Sequence, residues 1–186
     1  IERHLETSRI LPDEQFGFRH QHSTSHQLAR VTSYIKSKMK TERKSTLLLL
    51  LDLERAFDTV WHDGLIYKMK QLKFDNTTLK ILHSFLKGRT FKVKVGNELS
   101  NCKNIPAGVP QGAILSPILF NIYTSDIPKH DRCELALYAD DAAIYCSNKT
   151  YRKSVRWIQQ YAEQLNDFYS EWKLKPNQNK YEAMYF

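Results

Sequence analysis

Cysteine is scarce in this chain and, where it occurs, poorly arranged for chemistry. Cys102, Cys133 and Cys146 are odd in number and form no C-x-x-C pair, which excludes a disulfide framework or a zinc ribbon and leads us to expect a reducing compartment. Long hydrophobic runs are missing too. No apolar stretch is longer than the five leucines Leu47–Leu51, against the roughly 18 to 20 residues of a bilayer crossing, so no membrane partner is expected. The opening Ile1-Glu2-Arg3-His4 is charged and lacks the apolar segment of a secretory signal. With no Met at its start, the sequence reads as a piece of something larger. Its six glycines and six prolines gather into no hinge, and neither a repeat nor a low-complexity linker interrupts what reads as one continuous domain. A G-x-x-x-x-G-K-[ST] pattern is also absent, which excludes nucleotide binding through a Walker loop.

What is present supports a folded domain with a polyanionic partner. Of the 186 residues 41% are hydrophobic and 12% aromatic, a composition that excludes disorder as the main state. A chain of this length buries roughly 70% of its extended surface and needs no covalent staple. The net charge is +8, and its distribution is uneven: +4 over residues 1–45, +3 over 46–100, −2 over 101–147 and +3 over 148–186. Basic flanks of this kind suit nucleic acid, and the acidic block between them calls for a separate explanation.

Periodicity locates the elements. Leu28, Val31, Ile35 and Met39 recur at helical spacing behind the Ser23-Thr24-Ser25 capping cluster, predicting a helix from about Thr24 to Lys40. Thr46 to Leu51 reads as a strand covered on both faces and ends abruptly at Asp52. Two helices follow, one near Leu53 to Leu72 with a break around Asp63-Gly64, the other from Asn76 to Lys87 with Gly88 as its stop. Thr90 to Val95 alternates with period two and turns at Gly96-Asn97 into a strand near Glu98 to Asn104, a hairpin with one basic face. After a Pro/Gly loop, Ser116-Pro117 can cap and open a helix toward Tyr123. A second hairpin pairs Leu135–Tyr138 with Ala143–Tyr145, Val155 to Trp172 marks a long amphipathic helix, and Glu182 to Phe186 begins a further strand. The expectation is an α+β domain with helices packed on a mainly antiparallel sheet.

Three stretches carry candidate chemistry. Asp52 ends a buried strand, where a carboxylate is costly unless something positive meets it; it serves there as a helix N-cap or as a metal ligand. Tyr138-Ala139-Asp140-Asp141 sets adjacent carboxylates at a hairpin tip. A solvated turn is the plain alternative, yet the apolar residues on both sides make a poor frame for a merely exposed tip. Strands that each end in Asp can bring Asp52 and Asp140 into one sheet. Clustered carboxylates raise one another's pKa unless a divalent cation neutralises them, and hard oxygen ligands favour Mg²⁺ or Mn²⁺ over zinc. Two such ions, roughly 3.5 to 4 Å apart, serve in-line displacement at phosphorus. The third stretch, Pro106 to Pro117, has glycines that allow close backbone approach and a Gln111 amide able to meet a base or sugar, although a plain turn uses the same residues. Arg89, Lys92 and Lys94 on the first hairpin are candidates for nucleic-acid backbone contact or simply a solvated face, the alternation directing both lysines to one side. His20, His22 and His26 have no acidic or cysteine partner nearby and make a weak metal set. Aromatics between Tyr151 and Trp172 could stack bases, but at helical spacing they read as core.

In their order, Asp52 with Ala56-Phe57-Asp58, then Gly108-Val109-Pro110-Gln111-Gly112, then Tyr138-Ala139-Asp140-Asp141 resemble motifs A, B and C of reverse transcriptases. Gln15-Phe16-Gly17-Phe18-Arg19, Val60 to Leu65 and Asn121 to Pro128 are similar to the jockey clade of non-LTR (LINE-type) retrotransposons. This resemblance implies a polymerase palm, about 46–64 and 106–186, with part of the fingers, about 1–45 and 65–105; the N-terminal fingers strands, thumb and endonuclease would lie outside the sequence. It implies RNA-directed DNA polymerisation on an RNA template, extending a DNA primer with dNTPs, inside the cell as a ribonucleoprotein of nucleus and cytoplasm. Asp52, Asp140 and Asp141 would hold two Mg²⁺ ions, Mn²⁺ being possible, with the Leu53 carbonyl assisting. Phe57 would be the steric gate against a ribose 2′-hydroxyl, Gln111 and Gly112 would lie against nucleotide and template, and Lys180, with Lys175 as competitor, would protonate pyrophosphate. Ala113 departs from the Ser common at its position. Two other readings use the same residues: an inactive RNA-binding remnant, which three intact carboxylates argue against, and a metal-dependent nuclease, which leaves Phe57 and the Gln111 loop unexplained.

Overall fold

Five consecutive leucines can be buried only if both faces of their strand are covered, and in the computed structural model, which describes residues 1–186, Leu47, Leu48 and Leu51 are buried while Leu49 and Leu50 are half-buried. The chain runs α1 (Glu2–Thr7), α2 (Thr24–Glu42), β1 (Ser45–Leu51), α3 (Ala56–Thr59), α4 (His62–Gln71), α5 (Asn76–Leu86), β2 (Thr90–Phe91), β3 (Lys94–Val95), β4 (Glu98–Leu99), β5 (Lys103–Asn104), α6 (Leu115–Tyr123), β6 (Glu134–Tyr138), β7 (Asp141–Asn148), α7 (Tyr151–Glu171), a 3₁₀ turn (Gln178–Lys180) and β8 (Glu182–Tyr185). β6, β7, β1 and β8 form, in that order, one antiparallel sheet. Side chains alternate across it. Leu47 and Leu51, with Leu135, Leu137, Ile144 and Cys146, join the main core with Leu119 and Ile122 of α6 and Ile158, Leu165 and Phe168 of α7. Leu48, Ala136 and Tyr145 face the other way, against Val31 and Tyr34 of α2. No helix is long and apolar enough to cross a membrane.

α2 is capped as expected, with Ser23 Oγ accepting from the His26 amide, but its apolar face is only partly used. Ile35 is buried, whereas Leu28 and Met39 remain 65% and 49% exposed. The sheet offers small residues there, Ala136 and Ala143, and the helix stands off from it, leaving an apolar groove of about 630 Å³ toward Leu50, Met184 and Phe186.

Three other local expectations are corrected. The break between the helices after β1 falls at Val60-Trp61, not at Asp63-Gly64. Gly64 lies inside α4 because the Trp61 ring folds back over it; a Cβ there would sit 2.5 Å from Trp61 Cε3. Ser116 does not cap α6: Ile114 holds the cap position, and the Ser116 hydroxyl donates to the Pro110 carbonyl, tying the helix to the loop before it. The first hairpin is two short ladders, β2 with β5 and β3 with β4, and its side chains lie in solvent throughout.

Lys68 of α4 is 5% exposed. Its ammonium donates to Asp126 and to the Tyr123 carbonyl and lies 3.6 Å from the Trp172 ring centroid. Burial pushes its pKa down to about 8, with Asp126 pulling the other way. This cation ties α4 to α6 and α7 through favourable aromatic faces that only partly replace its lost hydration.

Candidate active site

β1 and β7 lie side by side and end in carboxylates at the same edge of the sheet. Their register closes at Leu51 opposite Ala142, so one further step along each strand brings Asp52 alongside Asp141. The second hairpin is tighter than expected, because Asp141 already belongs to β7 and pairs with Tyr138. Only Ala139 and Asp140 form the turn, and Ala139 is left-handed at φ +57°. Beyond β1 the chain stays zipped to a late segment: the Asn177 amide donates to the Asp52 carbonyl at 2.9 Å, the Glu54 amide to the Lys175 carbonyl at 2.8 Å, and Leu53 faces Pro176 between them. That pairing brings Lys180 to the site. Its Nζ is 3.4 Å from Asp52 Oδ2 and two-thirds exposed, while Lys175 pairs with Glu54 at 2.7 Å.

The electrostatics are those of a site short of positive charge. Asp52 Oδ2 is buried and accepts no hydrogen bond, an arrangement proteins avoid unless another partner is available. Asp141 has its carboxyl pushed above the usual range, first by desolvation and then by the charges of Asp140 and Asp52, with Lys180 opposing. No three His, Cys, Asp or Glu side chains are drawn into a finished metal cluster anywhere in the molecule, and His20, His22 and His26 form none. The fit to a divalent cation therefore rests on the buried Asp52 oxygen, which accepts no hydrogen bond and meets only the mostly exposed Lys180 ammonium, on the mutual repulsion of the carboxylates and on an all-oxygen donor set, which suits Mg²⁺ or Mn²⁺.

A loop closes the other side. The Gly108 amide donates to Val60 O and the Val109 amide to Phe57 O, both at 2.8 Å. Gly108, at φ +86°, passes so close to Asp58 that no side chain fits, its Cβ position being 2.6 Å from Asp58 O. Phe57 is half-buried and packs on Phe120 with ring centroids 4.8 Å apart. Gln111 and Gly112 are exposed. The Gln111 amide donates to Asp58 Oδ1 at 2.8 Å, so Asp58 steers Gln111, a link whose only trace in the sequence is the Asp itself.

Arg89 departs from the group in which the sequence sets it. Its guanidinium donates to the carbonyls of Leu86, Ala107 and Gly108, beside His62. It clamps the loop to α5 and is not free for phosphate, whereas Lys92 and Lys94 are exposed. Most aromatics of α7 turn inward, with Tyr161, Phe168 and Tyr169 buried and Trp157 half-buried, while Tyr151 remains exposed. One feature had no periodic signal to reveal it: residues 14–17 run beside β6, with Gln15 in a parallel bridge to Leu137.

Known proteins resemble this chain in sequence and in fold. The chain is 39% identical over 180 residues to a probable RNA-directed DNA polymerase from transposon BS of Drosophila melanogaster, covering 92% of this chain and 20% of that protein. It is 36% identical over 183 residues to the RNA-directed DNA polymerase from mobile element jockey of the same species, covering 94% and 20%. It thus spans about a fifth of the length of these curated relatives. Among solved structures, telomerase from Candida albicans in complex with a fragment of telomeric RNA superposes with a TM-score of 0.72 at 14% identity, over 98% of this chain and 34% of that one. Apo telomerase from Candida tropicalis gives 0.71 at 14%, over 98% and 35%. At such identities the likeness concerns the fold, which is α+β and that of a polymerase palm with part of the fingers. Matched from residue 1 to residue 185 by the family model described as reverse transcriptase (RNA-dependent DNA polymerase), the chain belongs to that family.

Proposed function

We propose that this chain is the catalytic part of an RNA-directed DNA polymerase of a non-LTR retrotransposon, extending a DNA primer by one dNTP at a time on an RNA template and releasing pyrophosphate. It acts within a ribonucleoprotein in the cytoplasm and nucleus of its host cell. The observation that carries the reading is the placing of Asp52 alongside Asp141, with Asp140 in the adjoining turn, at one end of the paired strands β1 and β7, and a buried Asp52 oxygen that accepts no hydrogen bond and meets only the Lys180 ammonium at 3.4 Å.

Asp52 and Asp140 would hold the cations, with Asp141 and the Leu53 carbonyl completing the set. When bound, two Mg²⁺ ions, or Mn²⁺ in their place, supply charge neutralisation at the reacting phosphate and acidify the primer 3′-hydroxyl. The protein's own share is positioning. Phe57, braced by Phe120, stands as a rigid ring that leaves no room for a 2′-hydroxyl. Gln111, steered by Asp58, and Gly112 meet the incoming nucleotide and template. Lys180 is the group we assign to protonate the leaving pyrophosphate, since it stands beside Asp52 whereas Lys175 pairs with Glu54. Lys92 and Lys94 contact the nucleic-acid backbone.

The test supplies poly(rA), oligo(dT), dTTP and Mg²⁺ to the full-length protein with and without Asp140→Asn. Extension by the native protein and its loss by more than about a thousandfold in the variant is the expected result. Extension that the substitution leaves untouched would refute the metal assignment, and RNA binding without any extension would favour an inactive remnant.

A further inference from the structure

The two-residue turn that carries Asp140 poses a physical problem. Ala139 is left-handed at φ +57°, a conformation unfavourable for an L-residue, and a methyl side chain offers nothing in return. Such a residue persists only where its surroundings hold it. Here one side chain does so. Gln15, 1% exposed, accepts at Oε1 from the Ala139 amide at 2.9 Å and from the Gly17 amide at 2.8 Å, and donates from Nε2 to the Ala139 carbonyl at 3.2 Å. Both backbone groups of the strained residue thus end on one carboxamide. Its orientation is determined by its partners, since the flipped amide would set an NH₂ against two N–H donors.

Gln15 is itself held firmly. The Phe16 amide donates to Leu137 O and the Leu137 amide to Glu14 O, both at 3.0 Å, so residues 14–16 lie along β6 as a short extra strand. Gly17 presses against the turn, its Cβ position being 2.1 Å from the Ala139 nitrogen. Its carbonyl accepts from Asn121 Nδ2 of α6 at 2.8 Å. Gln27 of α2 donates to the carbonyls of Glu14, at 2.8 Å, and Leu137, at 2.9 Å. The turn is therefore clasped from outside by α2, α6 and residues 14–17, none of which bears a catalytic carboxylate.

We propose that Gln15 is a positioning residue for nucleotidyl transfer: its carboxamide holds the Ala139–Asp140 turn in the one shape that keeps Asp140 and Asp141 beside Asp52. The proposal rests on the polymerase reading above, and its test separates the two. Gln15→Met preserves length and burial but removes all three hydrogen bonds; Gln15→Asn keeps the amide on an arm too short to reach and carries the test if the Met variant fails to fold. In the full-length protein either variant lowers kcat about 10- to 100-fold, as expected for a displacement of about 1 Å, with KM for dNTP within about threefold of native. The half-saturating Mg²⁺ concentration rises. Adding Ala139→Gly, which accepts the left-handed turn without strain, recovers most of the loss, a rescue that a merely structural role for Gln15 would not produce. Independently of activity, amide hydrogen exchange at Ala139 and Gly17 accelerates at least about tenfold while the β1 and β7 amides are unchanged. Native exchange rates at Ala139 and Gly17 in the variants would overturn the proposal, as would native kcat in variants of an enzyme that polymerises. If the native protein fails to polymerise at all, the polymerase reading falls, and the exchange measurement still judges the clasp.

Discussion

Two glycines with nearly the same φ offer a controlled measurement of how tightly the Gln111 loop is held. Gly108 and Gly112 have φ of +86° and +83°, yet a Cβ on Gly108 meets the Asp58 backbone at 2.6 to 2.8 Å, while one on Gly112 meets nothing within 4 Å. Replacement by Ala costs both positions the left-handed penalty of about 1 to 2 kcal/mol, less about 0.4 to 1 kcal/mol recovered by stiffening the unfolded chain. Gly112→Ala should therefore destabilise by about 1 kcal/mol. Gly108→Ala adds a collision with backbone, which no rotamer relieves. Restoring ordinary contact at 3.4 Å from 2.6 Å requires a shift of roughly 0.8 Å, and four hydrogen bonds converge on that peptide: from its N–H to Val60, from Val109 to Phe57, and from His62 and Arg89 to its carbonyl. Losing two of them, partly buried, costs about 2 to 4 kcal/mol, for a total of about 3 to 5. At about 2 to 4 °C per kcal/mol for a chain of this size, thermal denaturation should show a fall of about 2 to 4 °C for Gly112→Ala and about 6 to 20 °C for Gly108→Ala. Equal effects of the two substitutions would refute the close approach of the loop to Asp58.

Further expectations follow from single residues. Lys68, its pKa pushed down to about 8 in the fold, binds fewer protons than in the unfolded chain above that pH. Stability should thus rise by about 2 kcal/mol between pH 8 and 9.5, and a denaturant midpoint that climbs equally in Lys68→Met would contradict it. Phe57→Val should relax discrimination against ribonucleotides by at least about tenfold and cost about 1 kcal/mol through the lost Phe120 contact; unchanged selectivity in primer extension would leave Phe57 with no role beyond packing on Phe120. Arg89→Ala should destabilise by about 1.5 to 3 kcal/mol without altering the salt dependence of nucleic-acid binding. The Lys92→Ala, Lys94→Ala pair should reduce the slope of log K against log salt by about 1.4 to 1.8 with little change in stability, and reversed effects would return phosphate contact to Arg89.

What the amino-acid order determined by itself was the local grammar and the chemistry it frames. A run of leucines with no polar interruption permits only a strand covered on both faces, Ser23 before an amphipathic repeat starts a helix, and carboxylates ending apolar strands need a cation. These signals act within a few residues, so β1, α2, α5, α7 and the three aspartates are legible without coordinates. Tertiary structure decided whatever depends on partners far along the chain. Trp61 folding over Gly64 moved the helix break, Gly108 drew Arg89 away from solvent, and Pro110 took the Ser116 hydroxyl from its cap. The sparse Ala136 and Ala143 face left Leu28 and Met39 of α2 exposed. Lys180 rather than Lys175 meets Asp52 because residues 175–177 zip onto the end of β1. Above all, Gln15 reaches Ala139 across 124 residues of sequence, and no periodicity announces a side chain whose hydrogen bonds exist only once the sheet has formed.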